Sequence, residues 1–257
     1  MSDSPRWEPL EIGGGRVRSL NADHVRLTLP AHSGGYSDAQ IDDYRRLSRR
    51  SFPWNPPVQM RLEARASMPH PQGTLGFGFW NDPFSLSLGQ GGAVRRLPSS
   101  PQAIWFFYGS PPHDLALAPG VPGCGWKAAV LRTPRIPSLV LAPLALSAIA
   151  LAQIPVLKRP VIRTALQFAQ AEESLISSPL DGWHHYEIDW LESEAKFSVD
   201  GQTILQTTVL PPAPLGFVIW IDNQYAIASP AGGFRFGVLP LAEEQWLEVR
   251  GLEVISY

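Results

Sequence analysis

The sequence predicts an all-β protein, a sandwich of two antiparallel sheets. Many short segments rich in β-branched or aromatic residues are bounded by Gly, Pro, Asp or Asn, a pattern typical of strands joined by tight turns. Within "YEIDW", residues 186–190, apolar and polar residues alternate, which is the period of a strand with one face on a core. Asp200-Gly201 separates two such segments and fits a two-residue hairpin. Consecutive hairpins of this kind indicate a sandwich.

The chain of 257 residues is long enough to bury the core of one large β-domain, and we expect a single domain over 1–257. Its predicted strands, in chain order, are HVRLTLP, VQMRLEARASM, GTLGFGFW, AIWFFYG, WKAAVLRT, WHHYEIDW, AKFSVDG, QTILQTTVL, LGFVIWIDN and WLEVRGLEVISY.

Two segments depart from the strand pattern. Residues 37–50, "SDAQIDDYRRLSRR", begin with a possible Ser37 cap and carry acids first and arginines last, which predicts a short helix. Residues 136–176 open with 22 uncharged residues, a length that could cross a bilayer. Prolines interrupt that run and strands flank it, so we expect an inserted pair of helices, near 139–153 and 160–174. This insertion could plug the fold, cover an apolar pocket as a lid, or contact membrane lipid through 136–157.

Composition excludes several function classes. Lys plus Arg (21) nearly balances Asp plus Glu (23), so no basic surface for nucleic acid is expected. Cys124 is the only cysteine, which excludes an intrachain disulfide or a cysteine metal cluster. Neither metal-ligand spacing nor a phosphate-binding loop is evident, and we expect no metal and no cofactor. The N-terminus lacks the pattern of a secretory signal, so we expect a cytoplasmic protein.

A resemblance to a known family rests on residues 181–203, "DGWHHYEIDWLESEAKFSVDGQTI". The order Trp-His-x-Tyr, then Trp, then a strand ending in Val-Asp-Gly resembles family 16 of the glycoside hydrolases, the laminarinases and lichenases, and the wider concanavalin A-like lectin/glucanase superfamily. The stretches 58–80, 214–223 and 246–255 are similar to strands of that family, so the resemblance covers roughly residues 55–257, interrupted by the insertion. The resemblance implies a concanavalin A-like jelly roll whose concave sheet forms a cleft.

The order of motifs along the chain argues against the family's usual chemistry. Family members carry Glu-x-Asp-x-Glu, sometimes with one bulged residue, on a strand soon after the Phe-Trp strand, and retaining hydrolysis needs two such carboxyls about 5–5.5 Å apart. Here the strand in that place is "AIWFFYG", residues 103–109, which has no carboxylate. Glu187 and Asp189 lie on a later strand, and alternation turns them away from the core. We therefore interpret them as solvated strand carboxylates.

Three other stretches supply candidate site residues. "FWNDPF" (79–84) combines an aromatic platform, an amide and a carboxylate, although Asn-Asp-Pro is also common in turns. "IWFFYGSPPHD" (104–114) places aromatic residues in the cleft strand, where they either bind a ligand or fill the cleft. "WIDNQY" (220–225) repeats the mixture on a late strand. The candidate acid/base residues are Asp82, His113 and Asp222, and the candidate ligand-binding residues are Phe77, Phe79, Trp80, Asn81, Trp105, Phe107, Tyr108, Trp220, Asn223 and Tyr225.

The function predicted from these residues is the binding of an apolar or aromatic small molecule in the cleft. Bulky aromatic groups disfavour an extended polysaccharide, whose hydroxyls would lose hydrogen bonds to water on burial. Rearrangement or hydration of that molecule by Asp82, His113 or Asp222 is compatible with the sequence. Two alternatives remain open: a divergent hydrolase of β-glucan, and a carbohydrate- or lipid-recognition module without catalysis.

Overall fold

The computed structural model describes residues 7–83, 96–118, 120–135, 169–229 and 233–257. Sixteen strands and one short 3₁₀ helix, Arg49–Ser51, are formed within these ranges. The strands are β1 Glu8–Ile12, β2 Arg16–Ser19, β3 His24–Leu29, β4 Asp38–Asp42, β5 Val58–Ala66, β6 Thr74–Trp80, β7 Ala103–Gly109, β8 Gly125–Arg132, β9 Gln170–Leu175, β10 His184–Trp190, β11 Ala195–Val199, β12 Gln202–Thr207, β13 Gly216–Asp222, β14 Gln224–Ser229, β15 Gly233–Val238 and β16 Gln245–Ser256.

Two seven-stranded antiparallel sheets form the sandwich that the sequence predicts. The first sheet has the order β1-β4-β13-β6-β7-β8-β9, and the second has the order β12-β11-β10-β5-β16-β3-β2. Strands β14 and β15 form a separate hairpin. Each segment predicted as a strand overlaps one of these strands, and the predicted hairpin joins β11 to β12 with positive φ angles at Asp200 (49°) and Gly201 (78°).

Alternating side chains of the two sheets fill the space between them. From β6 and β7, Phe77 and Phe106 enter this inter-sheet core, where they meet Tyr186 of β10 at centroid distances of 5.1 Å each. Phe79 packs on Trp190 of the second sheet at 5.6 Å. These rings are almost completely buried, so the inter-sheet core is closed and leaves only the outer sheet faces for a site.

The helix predicted over 37–50 is wrong. Residues 38–42 form β4 between β1 and β13, because the alternation in "DAQID" has the period of a strand and both neighbours supply backbone hydrogen bonds. The order of acids and arginines in this segment reflects an ion pair rather than a helix dipole. Arg45, in the turn after β4, pairs with Asp42 at 2.5 Å. Only Arg49–Ser51 is helical, as one 3₁₀ turn.

The predicted helical insertion falls mostly outside the described residues. The described residues do not include 136–168, and therefore do not include the stretch 136–157 predicted as a possible membrane contact. Residues 170–175 form strand β9, which pairs with β8, so the helix predicted near 160–174 is wrong at its C-terminal end. Pairing with β8 and the ion pair between Glu173 and Lys127 favour the strand. Within the described ranges, no helix has the length and apolar character of a membrane span.

A truncation in the inter-sheet core tests the packing. Phe77→Ala should lower the free energy of unfolding by about 3–5 kcal/mol, because the ring is 1% exposed and its removal leaves a cavity. Leu97→Ala is the control, since Leu97 is 55% exposed and its loss should change the free energy of unfolding by less than about 0.5 kcal/mol. Urea unfolding of both variants measures the difference, and equal stabilities would contradict this arrangement of the core.

Candidate functional site

A cavity of about 210 Å³ lies on the face of the first sheet that points away from the second sheet. We call this surface the cleft face. Every strand of the first sheet contributes to the wall, as do residues 115–117 and the first part of β14. Alternation decides which residues reach it, because each strand of the first sheet sends every second side chain to the core and the others to the cleft face.

Four aromatic side chains form the bottom of the cavity, and we call them the aromatic floor. They are Trp80 from β6, Trp105 and Phe107 from β7, and Trp220 from β13. The ring of Trp105 lies 5.9 Å from Trp80, 5.4 Å from Phe107 and 5.4 Å from Trp220. Phe107 and Trp220 are 5.9 Å apart. These distances are in the range of favourable ring–ring contacts, so the four rings support one another as a continuous apolar surface.

Two glycines in β6 make room for this floor. A Cβ atom on Gly76 would lie 2.7 Å from the Trp220 ring, and one on Gly78 would lie 2.8 Å from Cβ of Trp105. Both indoles therefore lie over backbone that carries no side chain. The sequence "GFGFW" combines this smooth cleft face with phenylalanines on the core face of the same strand.

Two carboxyl groups stand side by side at one end of the floor. Asp222 of β13 is the register partner of Asp38 of β4, and both line the cavity. The Thr74 hydroxyl donates to Oδ1 of Asp222 at 2.8 Å, as does the backbone N–H of Gln224 at 2.9 Å. The Trp220 indole N–H donates in turn to the Thr74 hydroxyl at 3.0 Å. This chain of hydrogen bonds fixes Asp222 relative to the aromatic floor.

Burial governs the ionisation of this pair. It raises the pKa of Asp222 to about 6, against the effect of the hydrogen bonds from Gln224 and Thr74. Burial, and then repulsion from Asp222, raise the pKa of Asp38 well above its usual range. Burial and the two carboxylates also raise the pKa of the Tyr36 hydroxyl at the cavity wall. The Asp38 carboxyl is hydrogen-bonded to the Tyr36 hydroxyl, and its Oδ1 atom is buried without a partner.

His113 contributes a second unpartnered polar atom. The ring stacks beside Phe107, 5.1 Å between centroids, and packs over Gly109 at the end of β7. Burial, assisted by the charge of Lys127, lowers the pKa of His113 to about 4, so the ring is neutral at pH 7. Nδ1 accepts the backbone N–H of Ala226 at 3.3 Å, which places the ring proton on Nε2. Nε2 is buried and has no partner, so it can donate to a ligand.

The far end of the cavity is closed by ion pairs. Arg96 donates to Asp82 at 2.6 Å and to the backbone carbonyl of Tyr44 at 2.6 Å. Arg45 pairs with Asp42 and donates to the carbonyl of Pro9 at 2.6 Å. The charges and hydrogen-bonding groups at this end of the wall are paired within the protein, so we assign them a role in stability rather than in ligand binding. In the described part of the chain, no three His, Cys, Asp or Glu side chains are grouped as metal ligands.

Most of the residues predicted from the sequence reach this cavity. Asp82, His113 and Asp222 all line it, and their acid/base roles stay predictions. Asp82 adopts a φ angle of 44° in the predicted turn and is ion-paired with Arg96. The predicted ligand-binding residues at the cavity wall are Trp80, Trp105, Phe107, Trp220 and Tyr225.

The structure corrects five of the predicted ligand-binding residues. Phe77, Phe79 and Tyr108 belong to the inter-sheet core, because they occupy the strand positions that alternate with the aromatic floor. Asn81 is buried and its amide group donates to Ser99 Oγ and the carbonyl of residue 100 and accepts from the backbone of residue 102. Asn223, fully buried, accepts from the backbone N–H of residue 37 and donates to the carbonyls of residues 35 and 239. These two amides hold loops together.

Asp38 and Tyr36 are the site residues that the sequence interpretation missed. The error follows from the helix predicted over 37–50, which hid the strand and its partner β13. The signal was present in "DAQID", where polar residues alternate with Ala39 and Ile41, and both of these enter the inter-sheet core.

Glu187 and Asp189 lie on the outer face of the second sheet, as predicted from the order of motifs. Both accept hydrogen bonds from Gln59, at 2.6 Å and 2.5 Å. Their strand neighbours Tyr186 and Ile188 point into the inter-sheet core. The whole sandwich separates these two carboxylates from the cavity.

Comparisons with known proteins return structures but no sequence relatives. No protein-family model matches the chain, and no curated protein matches it. One similar solved structure is a Bacteroides ovatus mixed linkage glucan protein of glycoside hydrolase family 16 in complex with a product, with 12% identity over 98% of this chain and 96% of that chain, and a TM-score of 0.47. Another is a legume lectin-like domain from Entamoeba histolytica, with 9% identity over 98% of this chain and 90% of that chain, and a TM-score of 0.48.

A sialidase is also similar, with 10% identity over 97% of this chain and a TM-score of 0.43, and this chain spans 17% of its length. These structures include a family 16 protein and a lectin-like domain, the classes of protein that the sequence resembles. Identities of 9–12% and TM-scores below 0.5 assign no role to any residue of the cavity.

The raised pKa of Asp222 predicts a pH dependence of stability. The folded protein favours the protonated form of Asp222. The contribution of this group to the free energy of unfolding is therefore fully present below pH 3.8, its pKa in the unfolded chain, and is lost as the pH rises through about 6. Asp222→Asn removes this loss, and the variant should gain about 3 kcal/mol on the wild type between pH 3.8 and 7.

Chemical denaturation at pH 4, 5, 6 and 7 measures this difference. Asp181→Asn, at an exposed position, is the matched control and should follow the wild type at every pH. Titrating groups that are not coupled to Asp222, including His113, are present in all three proteins and cancel in the comparison. Asp38 loses the repulsion from Asp222 in Asp222→Asn, which acts in the same direction as the expected gain. A constant difference between Asp222→Asn and the wild type over this range would contradict the raised pKa.

Proposed function

We propose that the cleft face binds a small molecule that lays an apolar or aromatic ring on the aromatic floor and points a polar group at Asp38 and Asp222. The observation that carries this proposal is the arrangement of four mutually supporting rings at the bottom of a cavity, with buried unpartnered polar atoms at its edge. Natural ligand sites combine a mostly apolar wall with a few fixed polar groups in the same way.

The polar groups of the wall favour an apolar or aromatic ring with few polar groups over a sugar ring with many hydroxyls. A sugar needs a hydrogen-bond partner for most of its hydroxyls, since each one loses water on burial. Much of the polar wall is already committed within the protein: Asp42 is paired with Arg45, Asp82 with Arg96, and Thr74 bridges Trp220 and Asp222. The unpartnered atoms on Asp38 and His113 suit a ligand with one or two polar groups.

A sugar is the second candidate ligand, because the apolar face of a sugar ring can also stack on flat aromatic side chains. The solved structures similar to this chain include a family 16 protein with a bound product, which raises the same candidate. The volume of about 210 Å³ fits one ring of either kind better than an extended polymer.

Acid/base chemistry on the bound molecule is the second candidate activity, and the position of Asp222 favours it. A carboxyl with a pKa of about 6 that faces an enclosed cavity can both give and accept a proton near neutral pH. Asp82 is less suited because its carboxylate is paired with Arg96. Deuterium uptake from D₂O into a ligand recovered from native purification tests this activity, and it should be slower with Asp222→Asn than with the wild type.

Binding of neutral ring compounds tests the proposed function directly. Calorimetric titration with benzyl alcohol and cyclohexanol should show saturable binding to one site, and titration with glucose and cellobiose should show weaker binding. Trp105→Ala should weaken the binding of benzyl alcohol about tenfold, because it removes the ring at the centre of the aromatic floor.

Trp183→Ala is the matched control. Trp183 lies outside the cavity, under the guanidinium of Arg250 at 4.2 Å, and its loss should leave the affinity unchanged. Equal effects of the two variants would contradict the aromatic floor as the binding surface, and tighter binding of the sugars would favour the carbohydrate alternative. Mass spectrometry of small molecules that remain bound through native purification identifies the ligand class independently.

A further inference from the structure

The polar end of the cavity specifies the charge of the ligand. We propose that Asp38 and Asp222 bind an ammonium group carried by an apolar or aromatic ring, with the aromatic floor holding the ring and the face of Trp220 adjoining the cation. This inference rests on the proposed function and names the chemical class of its ligand.

The first argument concerns the balance of charge around the cavity. Three carboxylates of the wall have a basic side chain within salt-bridge distance, and those pairs neutralise each other. The pairs are Asp42 with Arg45 (2.5 Å), Asp82 with Arg96 (2.6 Å) and Glu173 with Lys127 (3.3 Å).

Asp38 and Asp222 have no such partner among the residues that the structure describes. Arg45 is the basic side chain whose charge reaches Asp38, and it is held by Asp42 and by the backbone of the first strand. Among the described residues, this pair is therefore the acidic part of the cavity wall without a counter-ion, and the pKa values of both groups are raised. A buried carboxylate without a counter-ion is costly, and a ligand that brings a cation removes that cost.

The second argument concerns two groups at the polar end of the cavity, the Asp38 carboxyl and the Trp220 indole. Oδ1 of Asp38 is buried in a residue that is 4% exposed, and it accepts no hydrogen bond. The indole of Trp220 lies on the same face of β13 as Asp222, two residues away, and it lines the cavity while its N–H donates to Thr74. An ammonium group donates hydrogen bonds to carboxylates and is attracted to the face of an indole, so it satisfies both groups together.

The groups around the pair agree with a cationic ligand. Tyr36 and Gln224 are polar and uncharged and line the wall beside the pair, where the Tyr36 hydroxyl is hydrogen-bonded to Asp38 and to Gln224. Thr74 donates to Asp222 from the neighbouring strand. Asp42 is the next acid on β4, and its ion pair with Arg45 neutralises it. His113 is neutral at pH 7 and does not compete with the ligand for the pair.

Three ring compounds that differ chiefly in charge test the inference: benzylammonium, benzyl alcohol and benzoate, titrated by calorimetry at pH 7. Benzylammonium should bind about tenfold more tightly than benzyl alcohol, and benzoate should bind most weakly. The preference for the cation should fall when the pH is lowered from 7 to 5, because Asp222 becomes protonated through its pKa of about 6. Binding of benzylammonium near pH 6 should release protons, which titrations in buffers of different ionisation enthalpy detect.

Asp222→Asn and Asp38→Asn should each remove most of the preference for benzylammonium while benzyl alcohol still binds. Two variants are used so that a loss of folding in one leaves the other to decide. Asp189→Asn is the control, because its carboxylate lies on the second sheet beside Gln59.

The outcomes separate the two proposals. Failure of all three probes to bind would overturn the proposed function and this inference with it. Equal binding of benzylammonium and benzyl alcohol, with the same ratio in the wild type and in both aspartate variants, would overturn the inference and leave the proposed function standing. Preferential binding of benzoate would overturn it as well.

Discussion

The first sheet packs against the second sheet with one face and forms the floor of the cavity with the other. The alternation of side chains along its strands assigns each residue to one of these two faces. On β6 the phenylalanines point to the inter-sheet core, and the glycines together with Trp80 face the cavity. On β13 the same rule sends Phe217, Ile219 and Ile221 inward. A shift of one residue in any central strand would exchange the two sets and would destroy both the core and the site. Stability and function therefore depend on the same register.

The polar end of the site is produced by pairing between two strands that are distant in the chain. Asp38 and Asp222 are far apart in sequence, and the register of β4 with β13 makes them neighbours. Burial at the cleft face, beneath Tyr36 and the first part of β14, then removes them from water, which raises both pKa values. The energetic cost of this burial is carried by the packing of the inter-sheet core, as is common for sites that must hold unfavourable charge.

Local patterns in the sequence were sufficient for the sandwich, the hairpin at Asp200-Gly201 and the outward position of Glu187, because these follow from strand period and turn chemistry. The aromatic floor was predicted in part: Trp105 and Phe107 were assigned to the cleft, but Phe77 and Phe79 were assigned to it together with Trp80, although neighbouring residues of one strand cannot share a face.

Asp38 could not be assigned in the same way. The acids and arginines of 37–50 match a helix locally, and what makes 38–42 a strand is its position between β1 and β13, which is a property of the tertiary structure. Among the described residues, Asp38 and Asp222 have no counter-ion because the nearby arginines are paired with Asp42 and Asp82, and the local sequence does not show which acid each arginine pairs with.

A crystal structure of the protein with bound benzylammonium tests the central claim most directly. We expect the ring against Trp105 and Trp220 and the nitrogen within about 4 Å of a carboxylate oxygen of Asp38 or Asp222. A ring bound away from the aromatic floor, or a nitrogen directed toward the ion pair of Asp82 and Arg96, would contradict the account.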